Sequence, residues 1–374
     1  ATAARRHYRH PQRSLSQRPA PCKLGRRGRG KRGSRRQSPC LMDTGKKTHQ
    51  YSGENPCINP LDFLVIGAQK GATTTLFELL RQHPGVKMPL EKEVPVFTNA
   101  NLTAEQLDAH CRRYFPGAQN HLLGKVTPQY MGDHRVPARI AALAPRCKLI
   151  ALLRDPLERT RSHYRMAQRR GTEQRSFDSA IAPLLESKAA DTARHSQPPN
   201  HSDGYESEAD FYLAWSEYGR ILSAYRQYFP AQQLLVLYTE DLERDPRGTL
   251  DRVLDFLALD RDFSPQGLGE VMHAGGGSIR IPHEARVWLR ERQLVRGIWT
   301  LVPDQLQGRL RFLYERWNTH REAAALPLSS QLEPRVRRHF AEDLAQLARL
   351  GVDQPPWIER YACTGKTTPC AATI

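Results

Sequence analysis

Two segments of this sequence combine residue types that hold anionic groups. The first is Gly67-Ala68-Gln69-Lys70-Gly71-Ala72-Thr73-Thr74-Thr75-Leu76. Small residues let backbone N–H groups close around a phosphate, the lysine adds charge, and threonine hydroxyls donate further hydrogen bonds. The nucleotide P-loop has the form G-x-x-x-x-G-K-[ST]. Here Lys70 precedes the Gly71-Ala72 pair instead of following the last glycine. Taken alone, the segment reads equally well as a phosphate loop or as an ordinary helix start. The second segment runs from Leu152 to Tyr164, with Arg154-Asp155-Pro156 at its head. The guanidinium of Arg154 can grip a phosphate bidentately, and Ser162, two helical turns on, can add a hydroxyl. Arg154 could instead pair with Asp155 or Glu158.

Both segments sit where a strand gives way to a helix. Leu61-Asp62-Phe63-Leu64-Val65-Ile66 is a short apolar run closed by Gly67, the pattern of a buried parallel strand. Thr73 to Gln82 carries Leu76, Leu79 and Leu80 at helical spacing and stops before His83-Pro84. A second unit starts at Lys148 to Leu153, turns at Arg154-Asp155-Pro156 and continues as a polar helix to about Arg170. A third passes from Leu234–Tyr238 into a helix over Pro246 to Leu257. This alternation predicts an α/β fold with a central, mainly parallel sheet flanked by helices. The polar stretch Lys188 to Glu208 reads as a long surface loop, and Gly275-Gly276-Gly277 as a flexible one. Leu332 to Leu350 reads as a last helix ending at Gly351.

Taken together and in this order, the two segments resemble the donor-binding motifs of the sulfotransferases that use 3'-phosphoadenosine 5'-phosphosulfate (PAPS). Those motifs are a 5'-phosphosulfate loop, roughly K-x-G-T-T, and a 3'-phosphate segment, R-D-P-x-x-R-x-x-S-x-Y. His83-Pro84-Gly85-Val86 with Glu91-Lys92-Glu93-Val94-Pro95-Val96-Phe97 looks like the family's H-P-x-V … K-E-x-x-x-F region, and Gly124 to Tyr130 looks like its K-x-P-x-Y strand. The likeness spans about Leu61 to Trp357 and is strongest to the heparan-sulfate-like and bacterial branch. It departs at Ala72, where the family often has Gly, and at Pro95-Val96-Phe97, where His-Phe-Phe is common.

The resemblance implies a P-loop-like three-layer fold and in-line transfer of a sulfuryl group from PAPS to an acceptor alcohol, possibly a carbohydrate. It implies donor contacts from Lys70, Gly71, Ala72, Thr73, Thr74, Thr75, Arg154 and Ser162, with Arg280 closing over the 3'-phosphate. Sulfuryl transfer builds charge on the leaving oxygen, which calls for a cation there; Lys70 is the candidate. Glu93 falls at the family's base, with Glu91 as the alternative. The apolar run from Val94 to Phe97 is expected to desolvate Glu93 and raise its pKa toward useful basicity. Lys125 and Tyr130 are expected to line the acceptor side, although Tyr130 fits a core position equally. No metal is expected, since lysine, arginine and backbone serve the phosphates and no His, Cys, Asp or Glu cluster has ligand spacing.

The net charge of +17 invites a nucleic-acid reading, but its location argues against one. Residues 1–50 hold fifteen Lys or Arg and one acid, a net +14 that leaves only +3 for the rest. We read residues 1–59 as a disordered basic tail, 60–361 as the sulfotransferase domain, and 362–374 as a C-terminal tail. No specific nucleic-acid partner is expected. Seven scattered cysteines without a C-x-x-C pair make a zinc site or a disulfide framework poor readings; a Cys363–Cys370 pairing stays open. With no apolar run of eighteen residues and no secretory leader pattern, no membrane span and a soluble, cytoplasmic location are expected. Two other functions stay open: a P-loop kinase, which would need ATP and Mg²⁺, and nucleic-acid binding through the tail.

Overall fold

The computed structural model describes residues 61–199, 207–269 and 326–362. The basic tail, the glycine loop at 275–277, Arg280, Cys363 and Cys370 lie outside them. In chain order the elements are β1 (Phe63–Gly67), α1 (Thr73–Leu80), β2 (Val86–Lys87), α2 (Ala104–Tyr114), β3 (Leu122–Val126), α3 (Val136–Leu143), β4 (Lys148–Leu153) and α4 (Pro156–Arg170). They continue with α5 (Phe177–Ile181), α6 (Ser187–His195), α7 (Tyr218–Arg226), β5 (Leu234–Tyr238), α8 (Thr239–Arg244), α9 (Pro246–Leu257) and α10 (Leu332–Ala348).

All five strands are parallel, in the order β2-β3-β1-β4-β5. Each apolar run is buried on both sides, as a parallel sheet covered by helices demands. Alternate residues feed two cores. Leu64, Ile66, Leu149, Ala151 and Leu153 face a core shared with α3, α4, α7 and α10. Phe63, Val65, Ile150 and Leu152 face a second core built with Leu76, Phe77, Leu79 and Leu80 of α1 and Leu250, Val253, Leu254 and Leu257 of α9. The result is the expected three layers, helices on both faces of one sheet.

The topology also fixes where a ligand can enter. From β1 the chain runs to β2 at one side of the sheet, whereas from β4 it runs to β5 at the other. The loops leaving β1 and β4 therefore part in opposite directions, and the crevice between them lies at the carboxyl ends of two adjacent strands. Open α/β sheets bind their ligands at such a switch point.

One expected loop is a helix. The first part of the polar stretch, residues 188–195, lies in α6, which contains three alanines. One of them, Ala193, packs with Phe211, Ala214 and Trp215, and Arg194 bridges Glu217 at 2.9 Å. High helix propensity and one buried side chain outweigh the overall polarity.

Candidate active site

The loop after β1 is tied to β4 by its backbone. Ala68 N donates to Leu152 O at 2.8 Å, and Gly71 N to Ala68 O at 2.9 Å. Gly71 lies so close to β4 that an added Cβ would sit 2.4 Å from Leu152 O. On either side of it, Lys70 (φ 72°) and Ala72 (φ 59°) adopt the left-handed conformation, at a cost of roughly 1–2 kcal/mol each for a residue with a Cβ. Alternating hands of this kind turn successive N–H groups toward one point, a nest for an anion. Ala72 is also the N-cap of α1 and supplies no side-chain acceptor, nor does the first turn contain an acid. The positive end of α1 thus opens onto the loop without a countercharge of its own. Thr73 and Thr75 are buried and Thr74 half-buried there.

Lys70 is set among cations. Burial first, and then the charges of Arg169, Arg170, Arg154 and Lys92, lower its amine from the usual range to about 7.

Arg154 leaves the end of β4 beside this loop. Its two candidate acids have other partners. Asp155 caps α4, accepting from Leu157 N at 2.9 Å and Glu158 N at 3.2 Å. It also accepts from Tyr361 Oη at 2.6 Å and Arg360 Nη1 at 3.0 Å. Glu158 bridges Arg161 at 2.5 Å. The charge of Arg154 is felt at Lys70 and at Arg165, so the two segments share one electrostatic neighbourhood. Ser162 lies on the buried side of α4. Arg280 is outside the described residues.

Glu93 does not behave as expected. Its side chain is 39% exposed, and Lys92 Nζ contacts Oε1 at 2.8 Å. Gln129 Nε2 donates to Oε2 at 2.7 Å. Partial burial raises the carboxyl pKa, but Lys92, Gln129 and the charge of Arg170 outweigh it and hold the group below the usual range. Of its apolar neighbours, Val94, Val96 and Phe97 turn into the core while Pro95 stays exposed, so they do not enclose the carboxylate.

Lys125 and Tyr130, expected on the acceptor side, are buried beneath the segment that follows Glu93. Lys125 is 0% exposed; its Nζ donates to Val94 O and lies 2.6 Å from His110 Nε2. Burial lowers its amine to about 7. Lys125 stands three residues before Pro128 rather than the two of K-x-P, and the next residue, Val126, is fully buried as well. Tyr130 is fully buried. Its hydroxyl accepts from Val96 N at 3.0 Å and Phe97 N at 3.3 Å. The pair holds the backbone of 94–97, and through it Glu93.

With the site laid out, its relatives can be compared. The family described as "Sulfotransferase domain" matches residues 60–272, more than half of the chain. The chain belongs to the sulfotransferase domain family. Among curated relatives, the human heparan sulfate glucosamine 3-O-sulfotransferase 3B1 is 27% identical over 234 residues, covering 60% of this chain and 53% of that protein. The mouse bifunctional heparan sulfate N-deacetylase/N-sulfotransferase 4 is 29% identical over 230 residues, covering 60% of this chain but 25% of that protein. The chain thus spans about half, or less, of the length of these relatives. A sulfotransferase from Alicyclobacillus acidocaldarius shares the fold, with a TM-score of 0.53 and 20% identity over 81% of this chain and 98% of that one.

The sulfotransferase domain contains site residues that sequence reasoning did not single out. Gln69, Lys92, Gln129, His163, Arg169, Arg170 and Glu208 join Lys70 and Glu93 in one network. Arg169-Arg170 at the end of the polar helix was the available signal for the added charge. Glu208 gave none, since its contact with Gln69 spans 139 residues. Among the described residues no group of three or more His, Cys, Asp or Glu side chains is arranged to hold a metal ion, and no helix is long and apolar enough to cross a membrane.

Proposed function

We propose that this chain transfers the sulfuryl group of PAPS to a hydroxyl or amine of a carbohydrate. One observation carries the reading: the loop bearing Lys70 and the strand end bearing Arg154 flank the switch-point crevice between β1 and β4, within each other's charge field. A nucleotide with two separated anionic ends suits that arrangement. Its 5'-phosphosulfate lies on the 67–75 loop and the start of α1, and its 3'-phosphate on Arg154 and the hydroxyl of Ser162.

In the reaction the acceptor oxygen or nitrogen forms a bond to sulfur as the bond from sulfur to the 5'-phosphate oxygen breaks. Lys70, protonated once an anion is bound, meets the charge growing on that leaving oxygen. Glu93 takes the acceptor proton. Its carboxyl is held below the usual range, so it is ionised at neutral pH, the state a base needs, though a weak base. Transfer through a loose transition state asks little of the base early on, and Lys70 carries more of the work. Lys125 and Tyr130 act by holding 94–97 in place. The working domain extends to about residue 361, because Tyr361 and Arg360 brace Asp155 beside Arg154.

The carbohydrate class comes from the names of the relatives. The test is transfer of label from ³⁵S-PAPS to heparan sulfate, chondroitin and simple alcohols, in EDTA. Transfer to a polysaccharide that is lost in Lys70→Ala supports the reading. Binding of the desulfated product PAP without transfer to any carbohydrate overturns the acceptor class, and failure to bind PAP overturns the donor.

A further inference from the structure

The guanidinium proposed to hold the 3'-phosphate is followed directly in sequence by a carboxylate. Asp155 is 2% exposed, and a group on the neighbouring residue is present at high effective concentration. Left free, it would pair with Arg154 and repel an incoming phosphate. The 3'-phosphate end can work only if this acid is engaged elsewhere.

Its own helix does part of that. Leu157 N at 2.9 Å and Glu158 N at 3.2 Å both donate to Oδ1, as an N-cap requires. Such a cap leaves Oδ2 over. That oxygen accepts from Arg360 Nη1 at 3.0 Å, and Oδ1 accepts again from Tyr361 Oη at 2.6 Å. The two donors come from 205 and 206 residues further along the chain. Burial, and then the charge of Asp155, push the Tyr361 hydroxyl above its usual range, so it keeps its proton and donates it. The same oxygen accepts from Leu157 N at 3.2 Å. Its ring is fixed by Trp357 at 5.9 Å and Phe340 at 6.3 Å, with the Arg337 guanidinium 5.8 Å from its centroid. Arg337 bridges Glu333 at 2.6 Å and also feels the charge of Asp155. From the β5 side, Glu240 Oε1 accepts from Asp155 N at 3.0 Å, which holds the backbone of the turn. Both oxygens of the carboxylate are thus occupied, and the donors to Oδ2 and the strongest to Oδ1 come from one C-terminal turn, Ile358–Tyr361.

We propose that Arg360 and Tyr361 keep Asp155 off Arg154, so that the Arg154 guanidinium stays available to a 3'-phosphate and the site prefers PAP, the desulfated product, to AMP. They are positioning residues, acting through Asp155. The proposal rests on the donor reading above, and the two fail differently.

The experiment is titration calorimetry of PAP and of AMP against the full chain and its variants. Arg360→Ala is expected to weaken PAP about two- to fivefold, the scale of a half-exposed ion pair, and to leave AMP unchanged. Tyr361→Phe, which removes a buried charge-assisted hydrogen bond, should weaken PAP about tenfold. Asp155→Asn keeps a capping side chain but has no charge to divert. In that background Arg360→Ala should have no further effect, because the arginine acts only through the carboxylate. Equal weakening of PAP and AMP by Arg360→Ala, no weakening of either, or the same loss of PAP in the Asp155→Asn background overturns the proposal; a wild-type preference for PAP then still upholds the donor reading. A wild-type chain without that preference sinks both. The Arg360 side chain is 60% exposed, so the deciding variant does not depend on Tyr361→Phe folding.

Discussion

Raising the pH should strip this protein of its affinity for PAP, and Lys70 sets the amount. Burial and neighbouring cations bring that amine to about 7. A phosphate against it favours the ammonium, so the bound state holds the proton across the whole neutral range. The bound form therefore carries more protons than the free form above pH 7, and affinity falls as pH rises. For a free-state value of about 7, linkage gives a loss of about tenfold by pH 8 and about a hundredfold by pH 9. Above pH 7 the phosphates of PAP are already fully ionised, so the ligand adds no slope of its own. Calorimetry in buffers of different ionisation enthalpy should show uptake of about half a proton at pH 7 and about one by pH 8.5. Lys70→Met should bind weakly and without this slope, its affinity meeting the wild-type curve near the alkaline end. A dissociation constant that stays flat from pH 7 to 9, or a slope that survives in Lys70→Met, would refute the reasoning.

Three substitutions probe the parts that hold this lysine and its partner acid. Gly71→Ala puts a methyl 2.4 Å from Leu152 O, and the backbone must move; thermal unfolding should show a loss of about 1–3 kcal/mol, with PAP binding weakened in parallel. Tyr130→Phe removes the acceptor of the Val96 and Phe97 amides, so a loss of about 1–3 kcal/mol and reduced turnover are expected, with PAP affinity unchanged. Glu93→Gln should lower turnover in the ³⁵S assay with little change in PAP binding; normal turnover would move the base to another group.

The form of the loop proposed for the donor was legible because it is local. A strand, a small-residue loop and a helix start are consecutive in sequence, so Lys70 to Thr75 announce their own geometry. Strands β1, β4 and β5 followed from the same property, as apolar runs, whereas β3 carries Gly124 and Lys125. The acceptor side was harder, because its geometry is set across the chain. Whether Glu93 would be raised or lowered depended first on Lys92 beside it, whose contact the sequence does not reveal, and then on Gln129 and Arg170, which are distant in sequence. The burial of Lys125 against Val94 and His110 is set by segments distant from it in sequence. Helix α6 was hidden by its charges, since the burial of Ala193 under Trp215 is a tertiary event.

The crevice between β1 and β4 is held here to grip a nucleotide at two ends, and comparing PAP with AMP, which lacks the 3'-phosphate, tests that directly. The wild-type chain should prefer PAP strongly. Arg154→Ala should abolish the preference by weakening PAP alone, and Lys70→Ala should weaken both nucleotides and keep it. Equal affinity of the wild-type chain for PAP and AMP, or a preference untouched by Arg154→Ala, would contradict the assignment of the two ends.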